Sequence, residues 1–212
     1  MTFSKMLKSL AAALLAAGFA GSLSSCSTPS GTASSSRGGV DGRTFDVPAY
    51  RPQNPAAVRV KASVGNRAVY VMEGDRALLV TPACFGKPGA GTPMGNFTAY
   101  TKIRNKRSGS YGSYPMPFWT EFQSAYGFHA GWIQPVNSTH GCVRLPWNVA
   151  PKFWALVPVG TRINIAPSQP EDSTIGRNVP RLNDGPAPEW PKEVLWTDRV
   201  FHLADSRPVY AN

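Results

Sequence analysis

The chain has 212 residues, room for one domain with a leader and a tail, and its 42% hydrophobic and 16% charged residues mark a globular chain rather than a disordered one. Its formal charge of +10 calls for an anionic partner without choosing among nucleic acid, acidic lipid and an anionic wall polymer. Three cysteines are too few for a secreted scaffold held together by disulfides.

Lys5 and Lys8 precede an apolar run over residues 10–20, and small and polar residues follow over 21–26. A basic segment, a short apolar segment and small residues make an export signal, and the run is short for a bilayer span. Residues 1–25 are therefore expected to be a signal peptide, which undercuts nucleic acid as the anionic partner. Leu23-Ser24-Ser25-Cys26 resembles a bacterial lipobox, which implies acylation of Cys26 and a lipid anchor in a membrane. Ser27 in place of Asp favours the periplasmic face of the outer membrane if the envelope is Gram-negative. Residues 26–56, rich in Ser, Gly, Thr and Pro, are expected to be the acylated cysteine and a flexible linker.

Strand signals follow. Val58, Val60, Ala62 and Val64 alternate with Arg59, Lys61 and Ser63, the period of a half-buried strand. Gly65-Asn66-Arg67 turns the chain into residues 68–72, and Glu73-Gly74-Asp75 turns it again into 77–80, so an antiparallel meander is expected. Thr92-Pro93-Met94-Gly95 suits a turn leading into a strand over 96–103. Residues 104–117 are basic and full of Gly, Ser, Tyr and Pro, which predicts a long loop. Strands are expected over 118–122 and 126–130. One helix is expected after Cys142, capped by Asn148, with Pro151 in its first turn and Val149, Phe153 and Leu156 on one face. Val157-Pro158-Val159-Gly160 ends it and feeds a last strand over 161–165. The tail is proline-rich, yet Trp190, Val194, Leu195, Trp196, Val200 and Phe201 suggest that part of it packs back. These elements describe a compact, mostly β domain with one or two short helices.

Chemistry concentrates between Phe128 and Pro146, where two of the three histidines, His129 and His140, accompany Cys142. A cysteine nucleophile needs a base to make thiolate, a group that orients the base, and backbone N–H groups aimed at the developing oxyanion. Gly141 permits the sharp turn that exposes both sulfur and amides. A zinc site on His129, His140 and Cys142 lacks a nearby fourth ligand.

Thr139-His140-Gly141-Cys142-Val143-Arg144 resembles the signature of YkuD-type L,D-transpeptidases, a Ser or Thr, then His-Gly-Cys, an apolar residue and Asn or Arg. Phe85-Gly86-Lys87-Pro88-Gly89, Thr92-Pro93-Met94-Gly95-Asn96-Phe97, Met116-Pro117-Phe118-Trp119 and Val157-Pro158-Val159-Gly160-Thr161 are similar to further segments of that family. The resemblance covers a catalytic domain at 57–167, leaves 168–212 as a proline-rich C-terminal extension, and implies a mainly β, sandwich-like fold of antiparallel sheet. It implies Cys142 as nucleophile, His129 as general base oriented by the carbonyl of Ala130, and His140 shaping the site. The amides of Gly141 and Cys142 become oxyanion donors, with Thr139 beside the substrate. Arg144 either holds a stem-peptide carboxylate or sits in a structural ion pair.

The implied reaction attacks a peptidoglycan tetrapeptide stem, releases D-alanine and passes the acyl group to an amine, giving a 3-3 crosslink with no metal or cofactor. Water as acceptor makes a carboxypeptidase, a protein lysine makes a wall-attaching enzyme, and a dead fold would be a peptidoglycan-binding lipoprotein. Trp119, Tyr126 and Trp132 are groove candidates, though at least two are expected in the core. Arg104, Lys106 and Arg107 are candidates to overhang the site. Cys84 is expected to be buried and inert.

Overall fold

The computed structural model describes residues 45–110, 113–184, 192–202 and 210. The expected signal peptide, Cys26 and Trp190 lie outside them. Among the described residues nine strands form two sheets that enclose one core. Strands β1 (Val58–Ser63), β2 (Ala68–Glu73) and β3 (Arg76–Pro82) make the expected antiparallel meander. With β9 (Arg162–Ala166) and β4 (Gly95–Thr98) they build a five-stranded sheet in the order β3-β2-β1-β9-β4. The second sheet holds β5 (Thr101–Arg107), β6 (Pro115–Gln123), β7 (Tyr126–Ala130) and β8 (Val143–Leu145) in sequence order. Most pairs are antiparallel, but β1 lies parallel to β9 and β7 parallel to β8.

Period-2 alternation decides which residues meet. Val58, Val60, Ala62, Val69, Val71, Ile163 and Ile165 of the first sheet face Phe118, Phe122, Phe128, Ala130, Val143 and Leu145 of the second, all buried in one cluster. Helix α1 (Ala150–Leu156) packs Phe153 and Leu156 into it.

Several expectations are corrected. The strand expected over 96–103 is two strands in different sheets. Buried Ala99 donates its N–H to the Thr161 carbonyl and accepts from the Gly160 N–H, while Tyr100 N–H turns to the Glu121 carbonyl, so the chain changes sheets there. The loop expected over 104–117 is shorter: β5 continues to Arg107 and β6 starts at Pro115, so Arg104, Lys106 and Arg107 are strand residues. Arg107 donates to the Leu195 and Thr197 carbonyls at 3.2 and 3.0 Å, which ties it to the C-terminal segment. Asn148 does not cap α1. The cap position is Val149, and Asn148 Nδ2 donates to the Phe45 carbonyl. The linker expected up to residue 56 is engaged from residue 45 on. Ala49 is buried, Tyr50 N–H bonds the Leu78 carbonyl at 2.9 Å, and Lys152 pairs with Asp46 at 2.7 Å.

The C-terminal segment does pack back: Val200 and Phe201 enter the main core. Upstream, a 3-10 turn at Pro170–Ser173 docks on the outer face of the first sheet, where Asp172 accepts from Tyr70 Oη and Ser63 Oγ, both at 2.7 Å.

Candidate active site

The parallel pairing of β7 with β8 sets Phe128 beside Val143, His129 beside Arg144 and Ala130 beside Leu145. The flanking pairs face the core, so His129 and Arg144 share the outer face of the sheet. Cys142 precedes β8 by one residue and stands at the level of Gly127, with its sulfur 3.9 Å from the Ala125 carbonyl oxygen. Thirteen residues of sequence separation thus close into a shared cavity of about 200 Å³, lined by His129, Thr139, His140, Cys142 and Arg144. Ser108, Tyr114 and Met116 complete the wall from the β5–β6 side. Sequence reasoning missed these three because a side chain on an expected loop has no assigned direction.

The turn before the sulfur is braced from within. Thr139 Oγ1 donates to the Cys142 carbonyl at 2.6 Å and accepts the Gly141 N–H at 3.0 Å. The Gly141 amide, expected among the oxyanion donors, is therefore engaged inside its own turn. Gly141 has φ +112, and a Cβ there would lie 2.3 Å from the Tyr126 ring, so backbone and space both demand glycine. The segment that resembles the family's Gly-Lys-Pro holds this turn from outside. Thr139 N–H donates to the Phe85 carbonyl and Lys87 N–H to the Thr139 carbonyl, both at 2.9 Å. Gly86 lets that segment fold tightly, since a Cβ on it would meet the Ala90 carbonyl oxygen at 2.3 Å.

His129 is buried, and its Nδ1 lies 2.8 Å from the Ala130 carbonyl oxygen. A carbonyl only accepts, so Nδ1 carries the proton and Nε2 keeps a lone pair. Burial first and the Arg144 charge second lower the imidazole, against the opposing Ala130 carbonyl, to about 3. Burial pushes the Cys142 thiol up; the Gly127 N–H and Arg144 pull it down, and Glu121 raises it. The free site therefore rests as neutral thiol and neutral imidazole. Burial also raises the Tyr114 phenol, to about 12, so it too stays neutral.

Among the described residues Arg144 has no carboxylate partner, and its stem lies over Gly131, where a Cβ would meet Cδ at 3.0 Å. The ion-pair alternative for Arg144 finds no support there. His140 is exposed at the cavity. Trp119 and Trp132 are buried in the interior, as expected for two of the three aromatics, and half-buried Tyr126 covers Gly141. Glu121, which the sequence did not single out, accepts Ala125 N–H at 3.0 Å and Trp119 Nε1–H at 3.3 Å beside the site. Cys84 is fully buried with Sγ 3.1 Å from Ser138 Oγ, and both Cys84 and Cys142 are free thiols. Among the described residues no three His, Cys, Asp or Glu side chains cluster as metal ligands would.

A mainly β, two-sheet domain that converges a cysteine, a histidine and an arginine on one cavity has the parts list of an acyl-transfer site. The family model of the L,D-transpeptidase catalytic domain, YkuD, matches residues 57–165, and the chain belongs to that family. It is 28% identical over 131 residues to the "Putative L,D-transpeptidase YkuD" of Bacillus licheniformis, an alignment covering 59% of this chain and 76% of that protein. The fold is shared with an L,D-transpeptidase crystal structure from Stackebrandtia nassauensis at a TM-score of 0.50 and 20% identity, over 57% of this chain and 60% of that one.

Proposed function

We propose that the chain is a cysteine L,D-transpeptidase of the cell envelope, with Cys142 as nucleophile and His129 as base, acting on peptidoglycan tetrapeptide stems. The observation that carries this reading is the His129–Ala130 contact, which turns the Nε2 lone pair rather than an N–H toward chemistry in the cavity that Cys142 shares. The Cys142 proton passes to Nε2 as sulfur bonds to the carbonyl carbon of the stem's third residue. The tetrahedral intermediate collapses, the C–N bond breaks, and the proton leaves with D-alanine. An acceptor amine then gives a proton to Nε2, attacks the thioester and releases the thiol, leaving a 3-3 crosslink.

Burial that disfavours imidazolium in the free site makes these proton transfers concerted with substrate arrival, because the oxyanion and Arg144 then share the field. The reading keeps the Cys142 amide as oxyanion donor and gives Arg144 a stem carboxylate. It also keeps export and a lipid anchor at Cys26.

Mass spectrometry of disaccharide-tetrapeptide incubated with the purified chain tests it. A crosslinked dimer that has lost one D-alanine is expected, and none with Cys142→Ala. Tripeptide without dimer would assign water as acceptor. Unchanged turnover by Cys142→Ala would overturn the mechanism.

A further inference from the structure

The outer face of the five-stranded sheet carries a second concavity, of about 670 Å³, lined by Arg59, Lys61, Asn96, Thr98, Arg162 and Asn164. These residues alternate with Val58, Val60, Ala62 and Ile163, which face the core, whereas His129 and Arg144 point away from the core on the other sheet. The groove and the candidate active site therefore lie on opposite sides of the sandwich.

Parallel pairing of β1 with β9 places Arg59 beside Arg162 on this face. Like charges at neighbouring positions on adjacent strands destabilise a sheet. Lys61 is neutralised by Glu171 at 2.5 Å. Arg59 donates to the Ala56 and Val58 carbonyls, and among the described residues neither arginine has a carboxylate partner. An amide ladder points the same way. Gln169 Nε2 donates to Asn164 Oδ1 at 2.7 Å, and Asn164 Nδ2 donates to Asn96 Oδ1 at 2.8 Å. The ladder ends on the exposed Asn96 NH₂ group, a polarised donor in the groove.

We propose that this groove binds a peptidoglycan strand through its stem-peptide carboxylates, one of which bridges Arg59 and Arg162 while Asn96 donates a further hydrogen bond. The choice of carboxylate rests on the transpeptidase reading: planar carboxylates suit guanidinium forks, and the substrate polymer supplies them. A strand held here leaves the opposite face free to take a stem from another strand.

The test is co-sedimentation of the full chain, with Cys142 alkylated to block the cavity, with insoluble peptidoglycan. Arg162→Glu is expected to weaken binding about tenfold, the loss of a charge-assisted contact. The same change should raise Tm, because Arg59 gains a partner, so weaker binding is not a folding defect. Amidating the carboxylates of the peptidoglycan should abolish binding of the unaltered chain. Wild-type sedimentation by Arg162→Glu overturns the proposal, as does binding that survives amidation and disappears when wall phosphate polymers are stripped. Turnover of soluble disaccharide-tetrapeptide by unalkylated protein is scored separately. Arg162-dependent binding without turnover would refute the activity and leave the groove; turnover with Arg162-independent binding would do the reverse.

Discussion

Thr139 Oγ1 donates to the carbonyl oxygen of Cys142 at 2.6 Å, closing a four-residue turn beneath the sulfur. Thr139 Oγ1 in turn accepts the Gly141 N–H, so one buried hydroxyl sets the backbone on both sides of the turn. Thr139→Val keeps the shape and leaves the buried Gly141 N–H and the partly buried Cys142 carbonyl without this partner, at a cost of about 1–3 kcal/mol for each group left unpaired. Chemical denaturation should show that loss. Thioester formation should fall further than stability accounts for, and Thr139→Ser should restore most of both.

Gly141→Ala should be more damaging than its size suggests. The methyl meets the Tyr126 ring, and φ +112 strains any side chain whatever the space. Removing the ring as well, in Gly141→Ala with Tyr126→Ala, relieves the clash and not the backbone strain. Acyl-enzyme formation is expected to remain at least about tenfold below the Tyr126→Ala single variant, a barrier rise on the order of 1.4 kcal/mol.

Stability should depend on pH through His129. The folded imidazole stays neutral down to about pH 3, while in the unfolded chain it protonates near 6.5. Between those values the unfolded state binds more protons, so stability rises with pH and is lost as pH falls, by up to about 1.4 kcal/mol per pH unit. Urea unfolding at about pH 4.5 and about pH 7 measures this, and His129→Gln should remove the histidine's share.

Alkylation should report the same resting state. With the thiol pushed up and no imidazolium beside it, the iodoacetamide rate at Cys142 should still be climbing at pH 9.0. A plateau near neutrality would reveal a thiolate–imidazolium pair instead. Of the two thiols among the described residues, Cys84 is fully buried, so the label should fall on Cys142 and spare Cys84. A carbapenem should form its covalent adduct there too.

Arg144→Lys keeps the charge and loses the fork. If the guanidinium holds a stem carboxylate, KM should rise about tenfold with kcat little changed, as for loss of ground-state binding. A fall in kcat alone would place Arg144 with the reacting atoms instead.

Local pattern determined a good deal of this protein. Alternation at Val58, Val60 and Ala62, the turns at Gly65 and Gly74, and strand β7 were legible because a half-buried strand writes its period into neighbouring residues. Cys142 and His129 stood out as candidates because the chemistry restricts residue types within a short stretch, and both line one cavity. Only the tertiary structure decided what depends on pairing between distant segments. The change of sheet at Ala99 is made by bonds to Gly160 and Thr161, which no local period records. Strand β8 is three residues long, too short to show a period, yet its parallel pairing brings Arg144 to His129. The meeting of Arg59 with Arg162 across β1 and β9 follows from the same cause. A chain shows which face each residue takes on its own strand, and long-range register alone shows which residue stands beside it.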